Sequence, residues 1–268
     1  MLFSIMDSRE LRLEGLSARR AAEISSQTGV SLRQVEHYAL SVGAVPRRYS
    51  RNIGTFDFDG QMKLLESQVL VVGLGGLGGH VAEGLARAGV GRIVAADPDV
   101  FEEDNLNRQL LSSMEALGQP KADWARRRLA EVNPAVEFVG FAGRFQDLAD
   151  EIFADARVVF DCLDTVPARL ELEARCSAVG VPLVHGAIGG WFGQVGIVWP
   201  GSGLLTRICR RQSRGIEGQL GNPPFTPAVA AGLMVARGIR VLLNKVKPGQ
   251  ACLQFFDLLD DEWEDIKL

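Results

Sequence analysis

Cysteine is scarce and scattered in this 268-residue chain: Cys162, Cys176, Cys209 and Cys252 form no CxxC pair. That spacing argues against a disulfide framework and against a local zinc site, and it predicts reduced, mostly buried thiols in a cytoplasmic protein. Neither sign of charge dominates. Lys and Arg number 29 against 33 Asp and Glu, a formal balance of −4, so the chain as a whole makes no electrostatic case for binding nucleic acid. Long apolar runs are missing too, which excludes an evident membrane span. The first residues, Met1 to Leu16, carry Asp7, Arg9, Glu10, Arg12 and Glu14 where a signal peptide needs an apolar segment. No internal repeat or low-complexity stretch occurs.

What is present is an ordinary globular balance, 47% apolar and 23% charged, in a length that suits one large α/β domain with or without an appendage. Composition shifts near residue 50. Residues 1–51 hold eight Arg against five acids. Apolar residues within 18–42 recur at helical spacing, broken at Gly29-Val30-Ser31, and Ser31 is placed to cap the second helix. Two short helices joined by a tight turn are expected over residues 1–50, with the rest, 51–268, forming the main domain. The pair reads like a helix-turn-helix, with Arg33 and Gln34 on the second helix. Glu36 on that helix and the small basic excess favour a helical appendage over a DNA reader.

From Gln68 the pattern becomes strand–helix alternation. Strands are expected at Val69–Val72, Arg92–Ala96, Val136–Phe141, Val158–Phe160 and Pro182–His185, with helices at Val81–Ala88 and Lys121–Val132 among those between. Repeated units of this kind imply a doubly wound, mainly parallel, Rossmann-like sheet. Gly193–Trp199 alternates like an exposed antiparallel strand. Gly201–Pro224, rich in Gly, Arg, Ser and Pro, reads as a long mobile loop. Thr226–Leu243 is predicted helical, and two strands are expected near Cys252–Phe256 and Trp263–Leu268.

The first strand runs into Gly73-Leu74-Gly75-Gly76-Leu77-Gly78-Gly79, a GxGxxG between strand and helix, where phosphate can approach the backbone. Asp97 closes the second strand nineteen residues after Gly78, placed to accept ribose hydroxyls. These features suit NAD as well as ATP. The stretch Asp97 to Gln109 is denser in Asn, Arg and Gln than a dehydrogenase needs. Triphosphate chemistry needs cations, and Arg108 and Lys121 are of the right type; Asp164, after a later strand, can hold Mg²⁺.

These motifs resemble the MoeB/ThiF/HesA family of adenylating enzymes related to ubiquitin activators, over roughly Arg48 to the C-terminus. Arg48-Tyr49-Ser50-Arg51-Asn52 is similar to RYxRQ, and Gly73 to Gly78 to the family's GxGGLG. Asp97-Pro98-Asp99 with Asn105-Leu106-Asn107-Arg108-Gln109 is similar to DxD and NLxRQ, Gly118 to Lys121 to GxxK, and Asp161 to Asp164 to DxxD. The resemblance implies ATP-dependent adenylation of the C-terminal carboxylate of a small ubiquitin-like sulfur-carrier protein ending in Gly-Gly, serving molybdopterin, tungsten cofactor or thiamine synthesis. By it Gly73, Gly75, Gly76 and Gly78 cradle phosphates, and Asp97, with Asp99 beside it, serves the ribose end. Asn105, Arg108 and the adjoining Gln109 meet the triphosphate, Lys121 meets the α-phosphate, and Asp164 holds Mg²⁺. Arg51 reaches the partner subunit's site in a homodimer. The Trp191 to Gln194 segment resembles a strand of the carrier groove.

Two departures stand out. The family's paired zinc cysteines are reduced to Cys209 in Thr206-Arg207-Ile208-Cys209, and the chain stops at Trp263 to Leu268, so zinc is expected to be absent. Cys209 is then read as a remnant of that site, with a nucleophile as the alternative, since Arg207, Arg210, Arg211 and Arg214 around it would lower a thiol pKa. Rival readings are an NAD-dependent oxidoreductase, a non-enzymatic regulator, and adenylation of a small-molecule or tRNA carboxylate.

Overall fold

The computed structural model describes residues 15–209, 220–249 and 252–267. In chain order it comprises α1 (Ala18–Thr28), α2 (Leu32–Ser41), α3 (Ile53–Glu66), β1 (Gln68–Val72), α4 (Gly76–Ala88), β2 (Arg92–Ala96), α5 (Lys121–Val132), β3 (Glu137–Phe141), α6 (Asp150–Asp155), β4 (Val158–Asp161), α7 (Val166–Val179), β5 (Leu183–Gly189), β6 (Phe192–Val198), α8 (Leu204–Ile208), α9 (Phe225–Leu242), β7 (Cys252–Asp257) and β8 (Glu262–Lys267). Short 3-10 turns fill several of the connections.

The strands make one sheet in the order β3-β2-β1-β4-β5-β6-β7-β8. β1 to β5 pair in parallel, and β5 to β8 pair antiparallel. The expected doubly wound sheet is therefore present, with its order reversing between β1 and β4. Apolar runs explain the buried strands. Val69, Leu70 and Val71 are fully inaccessible, and burying each such side chain is worth about 1.5–3 kcal/mol. One core lies between the sheet and α4, α5 and α9, and includes Val71, Leu85, Phe160 and Met234. The opposite face packs Leu70, Val159, Leu172 and Leu205.

Two expectations are corrected here. Gly193–Trp199 is not an exposed strand: β6 is central, flanked by β5 and β7, and buried over most of its length. Glycine at 193 and 196 mimics alternation, yet a Cβ at Gly193 would meet the Phe256 ring at 2.2 Å, so the small residue is there for packing. The expected long loop also carries α8, whose Leu204 and Leu205 are buried and whose N-terminal amides are held by Glu173. Residues 210–219 of that loop lie outside the described residues, as do Met1 to Glu14. Helix α9 is long and apolar enough to cross a membrane by length and composition. It carries Arg237 and Arg240, however, and lays Ala230, Ala231, Met234 and Leu242 into the core.

At the N-terminus, Gly29 takes the left-handed conformation that ends α1, and Ser31 caps α2 in a reciprocal capping box with Gln34. Leu16, Ile24, Val35 and Ala39 form a small core of their own. The side chains a DNA reader would present are occupied. Arg33 Nε donates to the Leu65 carbonyl oxygen, Gln34 closes its own cap, and Glu36 is buried against Arg48 at 3.1 Å.

Candidate functional site

The sheet order reverses beside β1, and open α/β sheets leave a crevice at that point beyond the strand C-termini. A cleft of about 690 Å³ lies there, lined among others by Gly73, Gly75, Asp97, Arg108, Lys121 and Asp164. β1 delivers the glycine loop, β2 delivers Asp97, and β4 delivers Cys162 to Asp164. Helix α4 begins at Gly76, earlier than periodicity predicts, and its N-terminus has no side-chain cap, so its amides are free to meet an anion.

The glycines divide into two roles. Gly75 and Gly76 line the cleft and have room around them, the nearest atom to an added Cβ being 3.8 Å away at Gly75. Gly73, at φ +92°, faces the Cys162 carbonyl, which a Cβ would meet at 2.6 Å. Gly78 does not line the cleft. A Cβ there would sit 1.8 Å from the Gly73 carbonyl oxygen, so it serves helix–strand approach rather than phosphate contact.

Asp97 is almost fully buried and accepts the Leu74 N–H at 2.6 Å and the Asp99 N–H at 2.8 Å. It braces the glycine loop and faces the cleft at once. Burial holds its pKa above the ordinary aspartate value, against the opposing pull of Lys121 and of those two amides. Lys121, at the start of α5, is 6% exposed, so it is no solvated helix residue. Its Nζ lies 3.2 Å from Asp99 Oδ2.

Arg108 donates to the Asp104 carbonyl at 2.8 Å and to Asn107 Oδ1 at 2.9 Å, which hold it at the cleft wall. Gln109 and Asn222 contribute buried acceptor oxygens to this cleft that have no partner among the described residues. Such orphans call for a ligand with donor groups, and ribose hydroxyls or an adenine amino group supply them. Asp164 is exposed to the cleft and makes no ion pair or hydrogen bond with a described residue.

Asn105 is placed otherwise than expected. Its side chain donates to Asp104 Oδ1 at 2.6 Å and accepts the Glu102 N–H, capping its own turn, and it does not line the cleft. Arg51 is exposed and also outside the lining of this chain's cleft. Arg144, Phe145, Gln146 and Asn222 also line it, although no sequence motif marks them. The first three follow β3, and position beyond a parallel strand next to β2 was the available signal.

Asp161 and His185 are both wholly buried, with His185 Nδ1 2.6 Å from Asp161 Oδ2. The Leu163 N–H donates to the other Asp161 oxygen at 3.1 Å. Asp161 thus supports the strand end, and His185 is a hydrogen-bonded core residue. Cys176 is buried, its thiol pushed up to about 12. Cys162 is only partly core, since it also lines the cleft. A second cavity of about 740 Å³ opens over β6 and β7, lined by Phe192, Gln194, Cys209, Phe255, Trp263 and others. Burial pushes the Cys209 thiol up, with Arg169 pulling weakly the other way. Among the described residues the arginine-lowered thiol of the nucleophile alternative is not found; Arg210, Arg211 and Arg214 lie outside the described residues.

Comparison with known proteins gives this arrangement a lineage. The profile described as the ThiF family matches residues 49–268. The chain belongs to the ThiF family. It is 35% identical over 237 residues to the sulfur carrier protein ThiS adenylyltransferase of Escherichia coli, covering 82% of this chain and 90% of that one. It is 34% identical to the molybdopterin-synthase adenylyltransferase of the same organism, with 82% and 92% covered, and 32% identical to the SAMP-activating enzyme E1 of Haloferax volcanii, with 82% and 84% covered. Among solved structures, E. coli MccB with ATP superposes at TM-score 0.65 over 82% of this chain and 70% of that one, at 21% identity. The E. coli tRNA N6-threonylcarbamoyladenosine dehydratase TcdA superposes at 0.61, covering 74% and 95%, also at 21% identity. At such identity these two speak for the fold alone.

Proposed function

We propose that this ThiF-family chain is an adenylyltransferase that activates the C-terminal carboxylate of a small ubiquitin-like sulfur-carrier protein for cofactor biosynthesis. The observation that carries this reading is the gathering of Lys121, Arg108, Asp97 and Asp164 around one uncapped helix N-terminus, in a chain whose relatives bear the name of that activity.

ATP would lie with its ribose toward Asp97 and its phosphates toward Gly75, Gly76 and the α4 amides. The carrier's terminal carboxylate attacks the α-phosphorus. An oxygen–phosphorus bond forms to give the acyl-adenylate, and the bond to pyrophosphate breaks. Two anions must approach and a third charge then develops on the leaving group. Lys121 and Arg108 offset both penalties, and loss of one such donor costs roughly 10²–10³ in rate. Asp164, a free carboxylate at the cleft, fits Mg²⁺, which needs one or two carboxylates besides phosphate and water and supplies charge neutralisation when bound.

Further parts of the reading are also proposals. Arg51 completes the site of a second subunit in a homodimer. Residues 1–50 form a helical appendage to an adenylation domain spanning 51–268. The enzyme works without zinc in the cytoplasm, and Cys209 is a remnant rather than a nucleophile.

The deciding measurement is ATP–pyrophosphate exchange with a panel of small proteins ending in Gly-Gly. Exchange that requires one of them, and that Arg108→Ala or Asp164→Ala abolishes in folded protein, is the expected result. Exchange supported by no carrier, or NAD reduction in place of pyrophosphate release, would overturn the reading.

A further inference from the structure

We infer that Glu36 is a positioning residue for Arg51, through which the helical pair α1 and α2 holds this arginine ready for a second subunit. The inference rests on the adenylation reading above, in which Arg51 completes the partner's site, and goes on to name what keeps it in place. Glu36 lies ahead of residues 49–268, which carry the family likeness, so no family motif calls for it. Arg51 is exposed, and its side chain has no partner among the described residues. The chain on either side of it is fixed. Tyr49 is wholly buried, and its hydroxyl accepts from Asn133 Nδ2 at 2.8 Å. The Asn52 N–H donates to the Tyr49 carbonyl at 2.8 Å, and Asn52 Nδ2 donates to Gln61 Oε1 at 3.1 Å. A free cation on a fixed stretch of backbone is preorganised to reach outward.

The helical pair supplies the other side of this support. Arg48 Nε lies 3.1 Å from Glu36 Oε1 on α2, and the same guanidinium donates to Asn133 Oδ1 at the end of α5. One side chain thus ties α2, the Arg47–Tyr49 turn and the body together. Leu16, just before α1, grips the approach to the turn. Its N–H donates to the Val45 carbonyl at 2.9 Å, and its carbonyl accepts the Arg47 N–H at 2.8 Å. Helix α2 is itself seated on α3, where Arg33 Nε donates to the Leu65 carbonyl and His37 lies 2.9 Å from Glu66. Glu36 is 1% exposed, so water cannot take its place, and its loss frees the guanidinium at the foot of the turn. Misplacing a group at the reacting centre by about 1 Å can cost about 10²-fold in rate.

The test uses mixed dimers isolated through two different tags, with exchange measured on whichever Gly-Gly carrier the wild-type enzyme accepts. Arg51→Ala in one chain and Asp164→Ala in the other leave one working site, the cleft of the first chain with Arg51 of the second. Glu36→Ala is then added to either chain. In the chain that donates Arg51 it is expected to lower exchange about tenfold, and Glu36→Gln there, which still accepts from Arg48, to restore most of it. In the chain that donates the cleft, which has no Arg51 to position, Glu36→Ala is expected to leave exchange as it was. A folding defect lowers both arrangements alike. Equal losses, no loss in the donor of Arg51, or Glu36→Gln no better than Glu36→Ala would therefore overturn the assignment. A parent pair that regains no exchange would instead overturn the action of Arg51 across the interface, and wild-type enzyme that exchanges with no carrier would overturn the function on which both stand.

Discussion

Lys121 Nζ lies 3.2 Å from Asp99 Oδ2, an ion pair in which the lysine is buried and the aspartate mostly exposed. The asymmetry matters. The acid gives the ammonium a fixed resting place at the cleft, while solvent screens the pair enough for an incoming phosphate to compete for it. Lys121→Met should lower ATP–pyrophosphate exchange by roughly 10²–10³ with the fold kept. Asp99→Ala removes only the tether and should cost about tenfold or less, through ATP binding, since exposed partners contribute little. Equal losses from the two variants would show the pair to be one structural unit and remove Lys121 from the chemistry.

The second prediction concerns what joins the N-terminal helices to the body. Glu36 is 1% exposed, and Arg48 meets it at 3.1 Å while also donating to Asn133 Oδ1 at 2.5 Å. Burial raises the Glu36 pKa, and Arg48 only partly restrains it. Removing Arg48 leaves the buried carboxylate without its cation, with only the Tyr49 hydrogen bond favouring its charge, so Arg48→Ala should cost about 3 kcal/mol of stability near neutral pH. The sign with pH follows. A carboxyl with a raised folded pKa binds more protons folded than unfolded, so its stability deficit shrinks as pH falls toward the ordinary glutamate value. Melting of Arg48→Ala and wild type should converge in mild acid. Divergence there would refute the assignment.

Much of this was legible in the sequence because the signals were local. The glycine loop, Asp97 and Lys121 each sit at a strand end or helix start that periodicity alone locates, and α5 spans the residues predicted for it. What was not legible depends on neighbours distant in sequence. Asn105 carries the right residue type, yet its hydrogen bonds close its own turn. Cys209 has arginines beside it in sequence, yet burial among the described residues pushes its thiol up. β6 imitates an exposed strand because glycines stand where partner rings need space. Phe145 and Gln146 line the cleft only because β3 lies next to β2.

Asp97 gives a pH prediction for function. Its folded pKa is raised, chiefly by burial. Its carboxylate therefore takes a proton at a higher pH than an ordinary aspartate, and it then loses acceptor capacity for ribose while the Leu74 and Asp99 amides still need it. The KM for ATP should rise as pH falls through that raised value, whereas the carrier's KM should not follow. Asp97→Asn should show a high KM at every pH. A wild-type KM for ATP that stays flat from neutral to mildly acidic pH would exclude ribose binding through this carboxylate.

Arg51 provides the sharpest test of assembly. It follows the Arg47–Tyr49 turn that carries the Arg48 anchor, it is exposed, and it is absent from the lining of its own cleft. If it acts across a two-fold interface, Arg51→Ala and Asp164→Ala should each be inactive alone. A mixed dimer of the two holds one cleft with Asp164 intact and Arg51 supplied by the other chain. Random pairing of co-expressed subunits makes half the dimers mixed, each with one good site, so the preparation should regain roughly a quarter of wild-type exchange. Arg51 acting within its own chain gives a different result, because every cleft then lacks one of the two residues and no activity returns. Full activity in Arg51→Ala alone would remove it from the site altogether.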